Sequence, residues 1–377
     1  MTTIISGSSP SITFSDATTQ STTAPSTSTF GFKNRIINGG MVIDQRNAGA
    51  SVTVSSSTVT YTLDRYFAYA TQASKFTVQQ LSASPPVGFT NYLGVTSSSA
   101  YSVGIGDFFF LSQRIEGSNV SDLAWGTANA KTITVSFQVY SSLTGTFGGA
   151  LRNSSATRSY PFTYTISTAN TWTTITITIA GDTTGTWLTT NGIGIDIDFS
   201  FGTGTSYSAT SGTWATGNYL SATGAVSVVG TSGATWYVTG VQLEVGTQAT
   251  SFDFRDYGRE LILCQRYFQT TYPPGSGLGS TSAPLTATIE TISQATTSYL
   301  PIGWNMPVVM RTAPTATLYN PSTGSSSASN NIYQTSGASH PSAQANVSQN
   351  AVLFYVSGSS VAATAAIEAH FGVSAEL

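Results

Sequence analysis

Two aspartates, Asp196 and Asp198, stand two residues apart in the run "NGIGIDIDFSFG". On a strand this spacing puts both carboxylates on one face about 7 Å apart, which overlaps the roughly 6.5–9.5 Å of an inverting glycosidase pair. Both would leave the same strand, however, and a hydrolase needs its acids on opposite sides of the scissile bond. The plainer reading makes them the solvated face of a half-buried strand, or ligands of a structural Ca²⁺. Nucleophilic chemistry is no better supplied. A serine or cysteine nucleophile needs a positioned base, but His340 sits beside a proline in a Ser-rich loop, His370 sits in the last strand-like run, and neither has a companion motif. With the lone Cys264 they form no metal-ligand spacing. The residues therefore point to no catalytic group, no metal and no cofactor.

Binding chemistry is better represented. Recognition of a sugar calls for flat apolar rings against its C–H faces, with amides and hydroxyls for its hydroxyls. The stretch "GTGTSYSATSGTWATGNYL" supplies Tyr207, Trp214 and Tyr219 among Gly, Ser, Thr and Asn, a composition like that of an antibody paratope. The competing expectation is that Trp214 and Tyr219 cover a sandwich edge or pack between subunits. A second candidate loop is "FTNYLGV" from Phe89. The run "SFDFRDYGRELILCQRYF" from Ser251 differs in kind, because Asp253, Arg255, Asp256, Arg259, Glu260 and Arg266 crowd into it. Exposed ion pairs are worth only about 0–1 kcal/mol each, so such charges serve better to fix geometry. Arg255, Arg259, Glu260 and Leu261 are read as a joint between domains or between copies of the chain.

The elements that must carry these residues follow from composition and period. Only 8% of the 377 residues are charged, against about 25% in ordinary globular domains. The surface must therefore be built from Ser, Thr, Asn, Gln and Gly. A hydrophobic fraction of 40% with 11% aromatic residues exceeds what a disordered chain carries. A net charge of −3 without a basic cluster argues against a nucleic-acid partner. The longest strongly apolar run, "DFFFL" from Asp107, is far short of the about 20 residues of a membrane span, so no membrane insertion is expected. One cysteine excludes an internal disulfide framework, and "MTTIISGSSPS" lacks the pattern of a secretory signal. Synthesis in a reducing cytoplasm is the expectation.

Period-two alternation dominates from Lys33 onward. "KTITVSFQVYSS" places Ile133, Val135, Phe137 and Val139 on one face, "WTTITITIAG" alternates Ile175, Ile177 and Ile179 with Thr, and the Asp196 run places Ile193, Ile195, Ile197, Phe199 and Phe201 together. Such runs separated by Gly, Asn and Ser turns predict an antiparallel sandwich. In the charged stretch Tyr257, Leu261, Cys264 and Phe268 fall at helical spacing, predicting a short amphipathic helix too short to stand alone in water. The expected organisation is all-β, with an extended arm over 1–32, a sandwich over 33–252, a connecting helix over 253–272 and a smaller β-domain over 273–377.

Three stretches resemble phage tail fibres and receptor-binding proteins. They are "ITFSDATTQSTTA" from Ile12; "NRIINGGMVIDQRNAGASVTV" continuing through "YTLDRYFAYATQASKFTVQQ"; and "VTGVQLEVGTQATSFDFRDYGRELILCQRYF" with the ending "SAEL". The second is similar to a carbohydrate-binding-module-like jelly roll. The resemblance implies a homotrimer in the virion, docked on other virion proteins through an arm that includes Ile12, Phe14 and Asp16. The jelly roll and C-terminal domain would then project toward host surface polysaccharide. Without a collagen-like or coiled-coil shaft the fibre would be short, and a head fibre is an alternative to a tail fibre. A purely structural decoration or adaptor is the rival function, and a polysaccharide depolymerase a further one, for which no long parallel β-helix pattern is present.

Overall fold

The computed structural model describes residues 33–283, 288–294, 296–297 and 299–377, together with short strands Ile4–Ile5, Ile12–Thr13 and Thr19–Gln20. Ile12 pairs with Ile5 on one side and Gln20 on the other; Phe14 and Asp16 lie outside the described residues.

Thirteen strands build an antiparallel sandwich. In chain order they are β1 (Val52–Thr53), β2 (Thr60–Leu63), β3 (Tyr66–Ala70), β4 (Phe76–Leu81), β5 (Tyr92–Ser97), β6 (Phe108–Glu116), β7 (Ile133–Ser141), β8 (Gly145–Arg152), β9 (Arg158–Ile166), β10 (Thr173–Ile179), β11 (Ile193–Thr203), β12 (Ala215–Thr216) and β13 (Thr235–Val245). One sheet runs β10-β7-β13-β5-β4-β1 and the other β12-β9-β8-β11-β6-β3-β2. The chain repeatedly leaves one sheet for the other and returns, the wrapping of a jelly roll.

The alternation read in the sequence is what closes this core. Ile133, Val135, Phe137 and Val139 of β7 face Ile195, Ile197, Phe199 and Phe201 of β11, all buried. Phe137 meets Phe199 edge-on at 5.1 Å, and Trp236 of β13 packs on Phe199 at 5.4 Å. The wholly buried indole of Trp236 donates to Tyr164 Oη at 2.9 Å, so its one polar atom is satisfied.

The helix is shorter than its sequence stripe. It spans Tyr257–Gln265, here α1, with Asp256 as N-cap accepting from the Arg259 amide; Phe268 already lies in the strand Phe268–Thr270. Tyr257 is 53% exposed, whereas Glu260 is only 7% exposed and faces inward with Cys264. This inversion has a polar cause. Glu260 accepts from the Asn38 amide and pairs with Arg255, which also donates to the carbonyls of Asn34 and Ile36. The buried patch under the helix is correspondingly small: Ile37, Ile43, Cys264 and Tyr267.

Beyond the helix a second apolar cluster gathers Ile302, Leu318, Ile332, Phe354, Ile367, Phe371 and their neighbours. Its hub is the strand Ala366–Ser374, paired with Phe268–Thr270, Ile289–Ile292, Thr315–Tyr319 and Ile332–Gln334. This explains why nearly every residue of the hub is buried. Charges tie this part to the sandwich. Arg266 makes two bonds to Glu116 at 2.9 and 2.7 Å, Tyr267 Oη donates to the same carboxylate at 2.7 Å, and Glu376 pairs with both Arg46 and Arg65. Among the described residues no helix is long and apolar enough to cross a membrane.

Candidate functional site

The carboxylates of Asp196 and Asp198 share a face of β11, but that face is not wet: their exposures are 5% and 0%. The segment after β11 folds back over it, placing Leu220 against Phe67 and Phe110 and bringing Asn218 Oδ1 to Arg152. Asp198 accepts two bonds from Arg152 at 2.6 and 3.2 Å, and Asp196 lies between Arg152 at 3.6 Å and Arg114 at 3.3 Å. Burial pushes the Asp196 carboxyl up to about 6. The guanidinium groups fill the place a cation would take, and the described residues hold no cluster of His, Cys, Asp or Glu able to bind a metal. His340 is fixed between Gln334 Oε1 and Ser359 Oγ, each at 2.8 Å. His370 stacks on Tyr272 at 3.9 Å, and burial lowers its pKa to about 4.

Among the described residues no ring contact joins Tyr207, Trp214 and Tyr219 to one another, although the Leu220 amide donates to the Tyr207 carbonyl at 2.8 Å. Trp214 completes a triangle with Trp125 and Trp187, at 5.3 and 5.4 Å, and Tyr160 lies beside it at 5.2 Å. All three indole N–H groups are used internally, donating to Ala180 O, Lys131 O and, for Trp187, Asp182 and Thr184. Tyr207 rests edge-on against Phe108 at 4.7 Å on the outer face of the seven-stranded sheet. Tyr219 is half-buried; its amide donates to Ser159 Oγ, and its ring lies against Gly217, where a Cβ would sit 2.8 Å away.

A different aromatic group occupies the outer face of the six-stranded sheet. Tyr140 of β7 and Tyr237 of β13 are register partners, and their rings stack at 5.1 Å with only 8° between planes. Trp172, just before β10, contacts Tyr140 at 5.6 Å and Tyr92 at 5.3 Å; Tyr92 meets Tyr237 at 5.1 Å. Four rings from four strand positions thus close on one another. Tyr237 can lie low because its neighbour on β5 is Gly94: a Cβ there would stand 3.2 Å from the Tyr237 ring and 2.5 Å from Leu81.

The edges of this platform are anchored and its centre is open. Tyr92 Oη donates to Ala83 O at 2.8 Å, Tyr140 Oη to Asn170 Oδ1 at 3.2 Å, and Trp172 Nε1 to Ser84 O at 3.2 Å. Tyr237 Oη makes no hydrogen bond to the described residues, and Tyr140, Trp172 and Tyr237 remain half-exposed. Burial and the adjoining phenols raise the pKa of Tyr92, keeping it neutral. The outward residues of β7 and β10, including Ser136, Gln138, Thr174 and Thr176, carry no charge. Such a surface offers apolar rings and neutral hydrogen-bonding groups together, which suits a neutral polyhydroxylated ligand.

Sequence reading came near it only through Tyr92 in "FTNYLGV". The alternation that sends Val139 and Val238 inward also sends Tyr140 and Tyr237 outward, but their meeting needs the pairing of β7 with β13.

Two clefts at the helix joint are the alternative sites. The larger, about 350 Å³, is lined by Val42, Asp44, Tyr257, Leu261 and Pro273 among others; the smaller, about 160 Å³, by Phe89, Phe252, Phe254 and Arg255. Asp44 is occupied by the amides of Arg46, Asn47 and Gly49, and Arg255 by the contacts described above and by Asp253 at 3.5 Å, so the charges lining both clefts are already engaged.

No protein-family model matches the chain, and no curated protein matches it. Solved structures similar to it include the enzymatically active domain of tailspike protein 4 from bacteriophage CBA120, at 12% identity over 56% of this chain and 21% of that one, TM-score 0.30. A CBM4 structure is similar at 15% identity over 55% and 98% of the two chains, TM-score 0.28. A family 11 carbohydrate-binding module from Clostridium thermocellum in complex with a β-1,3-1,4-mixed-linked tetrasaccharide is similar at 11% identity over 53% and 98%, TM-score 0.28. The fold class rests on the strands and sheets themselves.

Proposed function

We propose that the chain is a non-enzymatic, carbohydrate-binding fibre protein of a phage virion, attaching to polysaccharide on the host cell surface. The observation that carries the binding reading is the uncharged four-ring platform of Tyr92, Tyr140, Trp172 and Tyr237, with the free hydroxyl of Tyr237 at its open face. Stacking of a sugar's C–H face on a half-exposed ring removes apolar area from water at about 25 cal/mol per Å², while the neutral surround avoids the cost of desolvating a charge. The virion assignment rests on the sequence resemblance alone. In it residues 1–32, with Ile12, Phe14 and Asp16, dock on other virion proteins of a tail or head, and the divisions at 33, 253 and 273 separate sandwich, joint and C-terminal domain.

Within this proposal the joint residues have separate tasks. Arg255 and Glu260 hold the helix to its own sandwich, as their contacts support, while Arg259 and Leu261 are assigned to contacts between three copies. Tyr207, beside Phe108 and Tyr69, is assigned a secondary glycan contact, and Trp214 and Tyr219 support the sandwich edge.

The test is binding of the purified protein to an array of bacterial surface polysaccharides, with Trp172→Ala and Tyr237→Ala alongside. Binding that falls at least tenfold in both variants, with the β-type circular dichroism unchanged, is expected. No binding by the parent protein would favour the structural-component reading, and undiminished binding by both variants would move the site elsewhere.

A further inference from the structure

The ring platform does not stand alone on its sheet. From Tyr140 the outer face of β7 continues through Gln138 and Ser136, and from Trp172 the outer face of β10 continues through Thr174 and Thr176. These are direct register pairs, Gln138 with Thr174 and Ser136 with Thr176. Gln138 Nε2 donates to Thr174 Oγ1 at 2.8 Å, which orients the amide along the face and leaves its oxygen without a hydrogen bond among the described residues. From Tyr140 to Ser136 the path is four residues, about 14 Å at strand rise.

The path has a built end. Thr134 and Thr178, next along the two strands, donate their hydroxyls to the carbonyls of Gly246 and Thr247, so the segment after β13 lies across the face there. Gln242 and Glu244 of β13 are tied to the same segment through Thr250, Ser251 and Asp253. A strip of rings and neutral polar groups is thus bounded at one end by the platform and at the other by the 246–253 crossing. The charged groups at the crossing are already engaged: Glu244 is buried and bonded to Gln242 and Thr250, Asp253 pairs with Arg255 at 3.5 Å, and Lys33 donates to the Ser251 carbonyl.

We propose that this strip takes an uncharged linear polysaccharide laid along β7 and β10, one sugar on the rings and the following ones against Gln138–Thr174 and Ser136–Thr176. The occupant follows from complementarity: a flat path without ionisable groups matches a chain without charge, and an acidic polysaccharide would lose hydration there without gaining a cation. The strip length selects a chain over a single ring. This inference rests on the platform being the carbohydrate site, and the experiment separates the two.

Neutral and acidic bacterial polysaccharides are arrayed, and a bound one is cut to fragments of graded length for calorimetry against the parent, Trp172→Ala, Gln138→Ala and Thr77→Ala. Thr77 is an outward residue of β4 beyond the platform, off the strip. The expected result is binding of neutral chains only, affinity that rises from monosaccharide to trisaccharide and then levels, and loss of all binding in Trp172→Ala. Gln138→Ala should weaken the trisaccharide by about threefold to tenfold, the span of one hydrogen bond, leave the monosaccharide unchanged, and Thr77→Ala should match the parent. Binding lost in Trp172→Ala but independent of fragment length, or confined to acidic chains, overturns the strip and leaves the platform. Absence of all binding, or binding indifferent to Trp172→Ala, overturns both.

Discussion

Replacing Asp196 by Asn should remove from the pH response of stability one component that falls as pH rises. Removal from water is the largest cause of the raised Asp196 pKa of about 6, with Asp198 adding to it and Arg152 and Arg114 opposing. Asp64 is likewise raised to about 6 by burial. Both acids titrate near 3.9 in an unfolded chain, about two units lower. Between roughly pH 4 and pH 6 the native state then binds more protons than the unfolded state, so stability falls as pH rises through that window. At about 1.4 kcal/mol per unit, the cost at neutral pH is roughly 3 kcal/mol for Asp196. Asp107, Glu116 and Asp182 have lowered values and the opposite sign: their stabilisation is present above their ordinary carboxylate range and fades only as pH falls through the depressed native values. His340 and His370 have lowered values and work against the two aspartates in this same window, because an unfolded imidazole takes up its proton near pH 6.5 and the native ones do not, so their share of stability rises with pH. Asp196→Asn leaves Arg152 its two bonds to Asp198, so the variant should be no less stable than the parent at pH 7.5, and its stability relative to the parent should be higher at pH 7.5 than at pH 5 by roughly 1 kcal/mol. Urea unfolding followed by circular dichroism across pH 4.5–7.5 reads this directly. A variant whose stability relative to the parent is the same at pH 5 and at pH 7.5 would refute the account of buried charge on this sheet.

Three further outcomes are expected. Gly94→Ala should displace the Tyr237 ring and weaken polysaccharide binding severalfold, at a stability cost of about 1–3 kcal/mol for overpacking; a crystal structure with Tyr237 unmoved and binding intact would contradict this. Glu116→Ala removes the shared acceptor of Arg266 and Tyr267 and should destabilise by about 3 kcal/mol, the lower range for breaking a buried pair, because Arg266 is partly exposed; chemical denaturation checks it. In the proposed trimer Arg259→Glu should give smaller species in sedimentation while the β-spectrum persists; a parent protein that sediments as a monomer would remove the trimer, and a trimer unaffected by the change would remove Arg259 from its interface.

What the sequence determined by itself is the class of the fold. Alternation in "KTITVSFQVYSS" and "NGIGIDIDFSFG" decides which side of each strand faces the core, because a one-residue slip would put every Ile and Phe in water. It also singled out the charged stretch from Ser251, whose Arg255, Glu260 and Arg266 are all ion-paired in the structure. The same local signals misplaced individual residues. Tyr257 looked like part of a buried stripe, yet the Asn38 amide that Glu260 accepts from, and the Asn34 and Ile36 carbonyls that hold its neighbour Arg255, arrive from a distant segment and turn the helix so that the acid faces in. Asp196 and Asp198 looked solvated because strand period says only which face a side chain takes, not what later chain covers that face. Trp214 read as a binding residue from its polar neighbours, while Trp125 and Trp187, distant in sequence, form the triangle with it. Tyr92, Tyr140, Trp172 and Tyr237 become one surface only through strand pairing across β10, β7, β13 and β5. Local period fixes the inward and outward sense of a side chain, and long-range pairing chooses its neighbours, so only the tertiary structure decided the platform.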